Sequence, residues 1–332
     1  MKVTSALIIS KEDDLGLALA SGVVLPSVIA RAGKRAAERL IEFFTAHIEN
    51  ANTRRAYGRV AWNFFAWIDE RNVALEGITA VHVAAWVESL KRDEYEVASV
   101  KQHLAAVRML LDYLVTGGVL RHNPSASVKG PLHSVRRGKT PVLNGHEAGK
   151  LIESIPTDTI TGLRDRALIG LMTYTFARIG AAVSMKVADV FVERNRLWVR
   201  LHEKGGNRHE MPCHHSLEEY LNAYLDAGGV REFAAAPLFR TIDRKTKTLS
   251  NRPLPQASAW EMVNRRARAA GIKTAVCNHT FRGTGITAYL ENGGTLERAQ
   301  SMANHASTRT TQLYDRRSDK ATLDDVERIR LG

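Results

Sequence analysis

Residues 278–314 read NHTFRGTGITAYLENGGTLERAQSMANHASTRTTQLY, and this stretch decides the fold and the chemistry of the chain. Two histidines, an arginine and a tyrosine follow in order: His279, Arg282, His305 and Tyr314. His279 and Arg282 are three residues apart at a predicted helix start, so both side chains project from one face. A helix N-terminus also favours a bound anion. Ser307 is predicted to open a short helix that can return Tyr314 to the same pocket.

Two upstream residues extend this group. Arg178 follows an apolar helical run, and Lys204 lies in a predicted hairpin turn. A phosphodiester under attack builds negative charge on its oxygens, and guanidinium groups pair with two such oxygens at once and stay charged. Arg178 and Arg282 are therefore the natural pair for a phosphate. The alternative for Arg178 is a surface arginine without a functional role.

The remaining side chains can supply the nucleophile and the protons. Tyr314 carries a hydroxyl that can attack a phosphate and later leave again, which makes the covalent step reversible. Lys204 can protonate the departing sugar oxygen, although Arg208 or a plain solvated turn are alternatives. His279 and His305 can move protons or hydrogen-bond phosphate oxygens, whereas in isolation each would more often be structural.

The composition favours a polyanionic partner. The chain has 332 residues, of which 44% are hydrophobic and 25% charged, as in ordinary globular proteins. Its formal net charge of +12 favours DNA or RNA over a membrane, with a merely soluble basic protein as the alternative. The length predicts two domains.

Cysteines and apolar runs exclude other classes. The two cysteines, Cys213 and Cys277, have no metal-ligand spacing, so neither a disulfide framework nor a structural zinc site is expected, and a reducing cytosol fits. The uncharged stretch 15–30 is too short to span a bilayer and follows acidic residues, which is untypical of a signal peptide.

The pattern of residues predicts four regions. Residues 1–34 form a partly ordered lead-in, and 35–121 have the apolar spacing of about four helices, with Thr79 and Ser99 as candidate caps. Residues 122–141 are rich in proline, glycine and basic residues and read as an interdomain linker, or alternatively as a surface loop. Residues 142–332 mix helices and strands.

Within this last region the sequence predicts helices and one hairpin. The helices are placed at 163–175, 216–227 (opened by a capping box at 216–219), 260–270 and 280–290, with short helices after Thr295 and Ser307. The hairpin strands are 197–201 and 209–213, joined by a turn at 204–207. The fold class is therefore mainly α, with a small β-sheet or hairpin.

At this point the sequence resembles the tyrosine recombinase family, the phage-integrase and Xer-like enzymes. His279-Thr280-Phe281-Arg282, Asn304-His305 and Thr310-Thr311-Gln312-Leu313-Tyr314 look like its His-x-x-Arg, Gly-His and nucleophile boxes. Thr175-Phe176-Ala177-Arg178-Ile179 and Glu203-Lys204-Gly205-Gly206-Asn207 look like its first arginine box and lysine hairpin. Residues 52–57 resemble the opening of its core-binding helices.

Five positions depart from the family pattern. Phe176-Ala177 stands where Gly-Leu is usual, and Ala181 stands where an acidic residue usually orients the first arginine. Asn304 replaces the glycine of the Gly-His box, and Gly283 stands where histidine is common. None of these changes removes a catalytic residue.

The resemblance implies a helical, SAM-like core-binding domain and a mixed α+β catalytic domain that close around duplex DNA. Tyr314 would form a 3′-phosphotyrosine link without metal or ATP, so no cofactor is implied. Exchange between two duplexes implies a homo-oligomer, a tetramer in the synaptic complex, acting in the cytoplasm on nucleoid DNA. Candidate DNA-contacting arginines are Arg54, Arg55, Arg136, Arg137, Arg265, Arg266 and Arg268.

Three alternatives stay open. A type IB topoisomerase would use the same chemistry without strand exchange. A DNA-binding protein with a decayed site would bind without cleavage. A metal-dependent nuclease is disfavoured because no acidic cluster accompanies the histidines. The terminal stripe of Leu323, Val326 and Ile329 is predicted either to pack on its own domain or to dock onto a neighbouring subunit.

Overall fold

The computed structural model describes residues 25–132, 138–203, 208–243, 245–316 and 326–327. The chain divides into two compact units between residues 134 and 135. This division falls within residues 122–141, the stretch interpreted above as a linker. Across the described ranges, no helix has both the length and the apolar character that crossing a membrane requires.

The first unit is built from helices. They are α1 (Ser27–Arg31), α2 (Lys34–Glu42), α3 (Ala51–Asp69), α4 (Ala80–Arg92) and α5 (Val97–Thr116), with a π-helical turn at Phe43–His47. The side chain of Asn50 caps α3 by accepting from two backbone N–H groups, and Thr79 caps α4 as predicted. Gly117 and the left-handed Gly118 (φ 66°) end α5, also as predicted.

Aromatic side chains fill the core of this unit. The fully buried rings belong to Phe43, Phe44, Phe64, Phe65 and Trp86. Phe64 and Trp86 pack edge to face, with ring centroids 5.0 Å apart. The helices bury one apolar face each, as the spacing in the sequence predicts.

Two features of this unit differ from the sequence prediction. Val28 and Ile29 of α1 are buried in the core, so the packed unit begins before residue 35. Ser99 does not cap α5, because the helix already begins at Val97 with Glu96 in the capping position. The left-handed turn at Glu94 (φ 57°) redirects the chain just before this start.

The second unit combines eight described helices with two small sheets. The helices are α6 (Gly145–Glu153), α7 (Ile160–Tyr174), α8 (Ile179–Ser184), α9 (His215–Ala227), α10 (Gln256–Ala269), α11 (Asn278–Glu291), α12 (Leu296–Met302) and α13 (Thr308–Gln312). The strands are β1 (Val190–Glu193), β2 (Arg196–His202), β3 (Arg208–Pro212), β4 (Arg240–Ile242) and β5 (Leu249–Pro253). The chain is therefore mainly α, as expected.

Strands β1, β2 and β3 form an antiparallel sheet with β2 in the centre. Leu197, Val199 and Leu201 of β2 are buried, and the residues between them face outward, which is the period-2 alternation of a half-buried strand. Arg200 lies directly opposite Glu210 on β3, and the two form an ion pair. The predicted hairpin strands match β2 and β3, while their connecting turn at 204–207 lies outside the described residues.

Three strands and one helix cap of this unit differ from the sequence prediction. Strands β1, β4 and β5 have three to five residues and little alternation of burial, so they carry a weak sequence signal. The predicted capping box at 216–219 is wrong. Helix α9 begins one residue earlier, and the Nδ1 atom of His214 accepts the backbone N–H of Ser216 at 3.2 Å.

Helix α7 lies at the centre of the second core and packs against both α9 and α11. Gly285 allows α11 to approach α7 closely, because a Cβ atom there would lie 2.0 Å from the backbone oxygen of Thr173. This close approach brings the start of α11 next to the end of α7. The residues at these two helix ends include Arg178 and Arg282.

Candidate active site

Arg178 is the N-cap residue of α8, just after α7 has ended. Its side chain is 36% exposed, and its Nη1 atom donates a hydrogen bond to Oε2 of Glu203 at 2.5 Å. Glu203 follows the last residue of β2, and its side chain is only 4% exposed. The first arginine is thus held by a carboxylate while its side chain stays partly open to solvent.

Arg282, on α11, is held differently. Its side chain is 1% exposed, Nη1 donates to the backbone oxygen of Phe176, and Nη2 donates to that of Ala303 at 2.5 Å. Burial, and then the positive charge of Arg178, lower the pKa of Arg282 to about 10, against the opposing charges of Glu203 and Tyr314. The guanidinium is therefore still charged at neutral pH.

The two arginines converge on one carboxylate. Oε2 of Glu203 contacts Arg178, and Oε1 of the same group lies 3.9 Å from Nη1 of Arg282. Two guanidinium groups from distant parts of the chain therefore lie side by side. Between them they bring planar N–H donors, the groups that pair with phosphate oxygens, to one place.

His305 lies beside this pair and is buried. Its Nδ1 atom is 2.9 Å from Oγ1 of Thr311, which is itself fully buried. Burial, and then the charges of Arg282 and Arg178, lower the pKa of His305 to about 3. The imidazole is therefore neutral at working pH, with one ring nitrogen as a donor and the other as an acceptor.

His279 is the second residue of α11 and keeps an exposed edge. Partial desolvation lowers its pKa below the usual value, and the positive charges of Arg282 and Arg178 add to the effect. The same two cations thus act on both histidines. His279, His305 and the arginine pair form one electrostatic group.

Tyr314 follows α13 and completes this group. Its ring is nearly parallel to that of His305, with an interplanar angle of 9° and a centroid separation of 6.0 Å. Its backbone oxygen accepts from Oγ1 of Thr287 at 2.8 Å, and its backbone N–H donates to Thr311 at 2.9 Å. The tyrosine is therefore anchored through its backbone to α11 and α13.

The segment around Tyr314 is also tied to residues 138–140. The backbone N–H of Gly138 donates to the oxygen of Leu313 at 2.8 Å. Arg316 donates from Nη2 to the backbone oxygens of Gly138 and Thr140, at 2.8 and 3.1 Å. These contacts lie on both sides of the tyrosine along the chain and fix its path.

Gly283 provides space for the tyrosine ring. A Cβ atom at this position would lie 2.9 Å from Cγ1 of Val142 and 3.2 Å from Cδ1 of Tyr314. Both distances are shorter than ordinary contacts, so a larger residue would displace one neighbour. The ring position therefore depends on a glycine next to Arg282.

The remaining sequence-predicted residues fall into three groups. Lys204, Arg136 and Arg137 lie outside the described residues. Arg55, Arg265 and Arg268 are exposed, and Arg265 also lies 3.6 Å from the carboxylate of Asp165. Arg54 and Arg266 are engaged within the protein: Arg54 is buried and donates to the backbone oxygen of Ile48 at 2.9 Å, and Arg266 pairs with the fully buried Asp165 at 2.9 Å.

Sequence reasoning missed two residues that hold the site together. Glu203 stood in the quoted lysine segment but was given no role, since nothing local connects it with an arginine 25 positions away. Arg316 was likewise unassigned. In the described part of the chain, no group of three or more His, Cys, Asp or Glu side chains is placed to hold a metal ion.

Comparison with known proteins now identifies the family. Residues 141–321, more than half of the chain, match the phage integrase family. The chain belongs to the phage integrase family. Residues 42–118 match the SAM-like N-terminal domain of phage integrases. The resemblance to tyrosine recombinases noted in the sequence is therefore confirmed, as is the expected fold class.

Curated relatives carry the name tyrosine recombinase XerD. The Listeria monocytogenes protein is 26% identical over 267 residues, covering 80% of this chain and 88% of that protein. The Corynebacterium glutamicum protein is 28% identical over 276 residues, covering 80% of this chain and 87% of that protein.

Solved structures share the fold. A XerH site-specific recombinase bound to its difH substrate, a pre-cleavage complex, matches with a TM-score of 0.66 and 18% identity, covering 94% of this chain and 87% of that chain. A lambda integrase dimer bound to a COC′ core site matches with a TM-score of 0.65 and 19% identity, covering 90% of this chain and 99% of that chain. A lambda integrase tetramer bound to a Holliday junction matches with a TM-score of 0.64 and 18% identity, covering 94% of this chain and 84% of that chain.

Two departures from the phage integrase pattern have a physical explanation. Asn304 adopts a left-handed backbone (φ 46°), and asparagine is the residue that best replaces glycine in that region. Phe176 is also left-handed (φ 54°), which strains a bulky residue. Its ring is buried against Ile286 and Leu290, so packing offsets the strain. The carbonyl of Phe176 is one of those that bind Arg282.

Proposed function

We propose that the chain is a tyrosine-type site-specific DNA recombinase that cuts and rejoins DNA through a phosphotyrosine intermediate. The observation that carries this proposal is the convergence of Arg178 and Arg282 beside His305 and Tyr314. Family membership and relatives named tyrosine recombinase support it. The partner is double-stranded DNA, in keeping with the net charge of +12.

Cleavage proceeds by attack of the Tyr314 hydroxyl oxygen on the scissile phosphorus. The P–O bond to the 5′ oxygen of the next nucleotide breaks, leaving a 3′-phosphotyrosine and a free 5′-hydroxyl. The charge that builds on the phosphate oxygens is stabilised by Arg178 and Arg282. Neutral His305 and His279 hydrogen-bond the phosphate and relay protons, and Lys204 protonates the departing oxygen.

Rejoining is the reverse reaction with a different nucleophile. The 5′-hydroxyl of a partner strand attacks the phosphotyrosine and releases Tyr314. The energy of the broken phosphodiester is kept in the phosphotyrosine bond, so the cycle needs neither ATP nor a metal ion. Exchange between two duplexes requires four protomers in the synaptic complex on nucleoid DNA. Exposed Arg55, Arg265 and Arg268 are the described candidates for phosphate contacts.

The test uses a nicked duplex that traps the cleaved state, incubated without ATP and with chelator. We expect wild-type protein to form an adduct that survives denaturation, while Tyr314→Phe binds the same duplex and forms none. An adduct in Tyr314→Phe, or none in wild type on a duplex that it binds specifically, would contradict the proposal. A two-site assay then separates recombination from simple supercoil relaxation.

A further inference from the structure

The buried carboxylate of Glu203 has no assigned part in the chemistry above. It lies at the end of β2 and is 4% exposed. Each of its oxygens faces a different arginine: Oε2 is 2.5 Å from Nη1 of Arg178, and Oε1 is 3.9 Å from Nη1 of Arg282. A carboxylate enclosed between two guanidinium groups is well placed to set their positions.

The two arginines depend on Glu203 to different degrees. Arg282 is fixed by the backbone oxygens of Phe176 and Ala303. For Arg178, the partner found within the described residues is Glu203. Ala181, three residues further along in α8, has no polar side-chain atom to offer. Only Arg178 therefore relies on this carboxylate for its orientation.

Electrostatics gives Glu203 a second effect. Two guanidinium groups at one site repel each other, and the charge of Arg178 disfavours the charged form of Arg282, while Glu203 favours it. A guanidinium has five N–H donors, so Arg178 can keep its bond to Glu203 and still donate to a phosphate. The carboxylate thus orients the guanidinium group of Arg178 without occupying all of its N–H donors.

We propose that Glu203 is the positioning residue for Arg178, holding its guanidinium in line with that of Arg282 so that both bind the scissile phosphate. This inference rests on the proposed function, because it assigns Glu203 a part in the same cleavage step. Glu203 itself does not contact the substrate and acts through Arg178. It therefore affects the rate of tyrosine attack more than the affinity for DNA.

The test compares Glu203→Gln with wild type in single-turnover cleavage of the nicked duplex. Glutamine keeps the shape but removes the charge. We expect cleavage to slow by about 10–100-fold, since a small misplacement of a catalytic group has effects of this size. The dissociation constant for DNA should change by less than about 3-fold, because most phosphate contacts lie elsewhere. Glu210→Gln is the matched control: it breaks an ion pair of the same length, 2.5 Å to Arg200, away from the arginine pair.

A double-mutant cycle with Arg178→Lys shows whether Glu203 acts through Arg178. Lysine keeps the charge but loses the planar fork, so Glu203→Gln should slow cleavage by less than about 3-fold in that background. Equal losses in both backgrounds, or a Glu203→Gln enzyme that cleaves as fast as wild type, would overturn the inference.

Thermal unfolding and DNA affinity separate a folding defect from loss of positioning. Glu203→Gln should lower the melting temperature more than Glu210→Gln does, because Glu203 is buried and the Glu210 pair is exposed, but it should remain folded at the assay temperature and bind DNA as tightly as the control. A loss of DNA binding and melting temperature that accounts for the whole rate change would assign Glu203 a structural role only. A wild-type protein that forms no adduct would instead overturn the proposed function, and this inference with it. An adduct formed at the same rate by wild type and Glu203→Gln would overturn this inference alone.

Discussion

The two arginines of the site have similar chemistry but opposite surroundings. Arg282 is 1% exposed and bound by two backbone oxygens, whereas Arg178 is 36% exposed and bound by one carboxylate. The region around Arg282 is thus part of the core of the second unit, while the region around Arg178 depends on a side-chain pair. One guanidinium serves folding and catalysis alike, and the other contributes to stability less and mainly serves catalysis.

The largest expected effect separates these two roles. Arg282→Ala leaves two buried carbonyl groups without donors and opens a cavity, so the free energy of unfolding should fall by about 3 kcal/mol. Arg178→Ala should lower it by about 1 kcal/mol, because that pair is partly solvated. Both variants should form no adduct. Urea unfolding of the two proteins checks the prediction, and equal destabilisation would contradict the distinction.

A second prediction concerns the pH dependence of stability and involves His305, which lies next to the buried Arg282. Folded His305 binds its proton only near pH 3, whereas an unfolded histidine binds it near 6.5. The unfolded state therefore holds more protons in this window, and the free energy of unfolding decreases as pH falls from about 6.5 towards 3, by at most about 1.4 kcal/mol per pH unit. His305→Gln should show a shallower decrease in urea unfolding between pH 7 and 5. Identical slopes would mean that the histidine is not held neutral.

The left-handed residue before His305 gives a smaller effect. Asn304 has φ 46°, so Asn304→Ala should cost about 1–2 kcal/mol of stability and Asn304→Gly almost nothing. The melting temperatures of the two variants provide the measurement. Since Ala303 binds Arg282 through its carbonyl, cleavage should also decline in Asn304→Ala. An alanine variant as stable as the glycine variant would show that this backbone is not constrained.

The smallest predicted effect concerns the tyrosine itself. Gly283→Ala places a methyl group within 3.2 Å of the Tyr314 ring and 2.9 Å of Val142, so one of them must shift by a few tenths of an ångström. We expect cleavage to slow by about 3–10-fold, with DNA affinity unchanged. Gly149→Ala is the control, because a Cβ atom there meets nothing within 4 Å. Unchanged cleavage in Gly283→Ala would show that the ring tolerates displacement.

The sequence predicted those parts of the site that rest on local patterns. His279 and Arg282 share one helix turn, and the caps at Thr295 and Ser307 lie where the polar residues predicted them. Glu203 was missed because its pairing with Arg178 joins a strand end to a helix start, and no periodicity connects the two. Ala181 stands where an acidic residue usually orients the first arginine, and in the structure a carboxylate from another element, Glu203, contacts Arg178 instead.

Backbone geometry explains further differences between prediction and structure. Asn304 and Phe176 both adopt left-handed conformations, which residue type alone signals for asparagine but not for phenylalanine. Three candidate DNA-contacting arginines, Arg265, Arg266 and Arg268, lie on helix α10. Arg266 instead pairs with the buried Asp165, a contact between residues 101 positions apart that no spacing rule reveals. Composition indicates a basic surface, but it does not show which arginines are engaged within the protein.

Identification of the residue that becomes linked to DNA tests the central claim most directly. A wild-type adduct on the nicked duplex is digested with protease and nuclease, and the modified peptide is sequenced by mass spectrometry. The arginine pair, the neutral His305 and the anchored tyrosine predict a 3′-phosphate on Tyr314. A phosphate on any other residue, or an unmodified Tyr314 in a protein that has cleaved its substrate, would contradict this account.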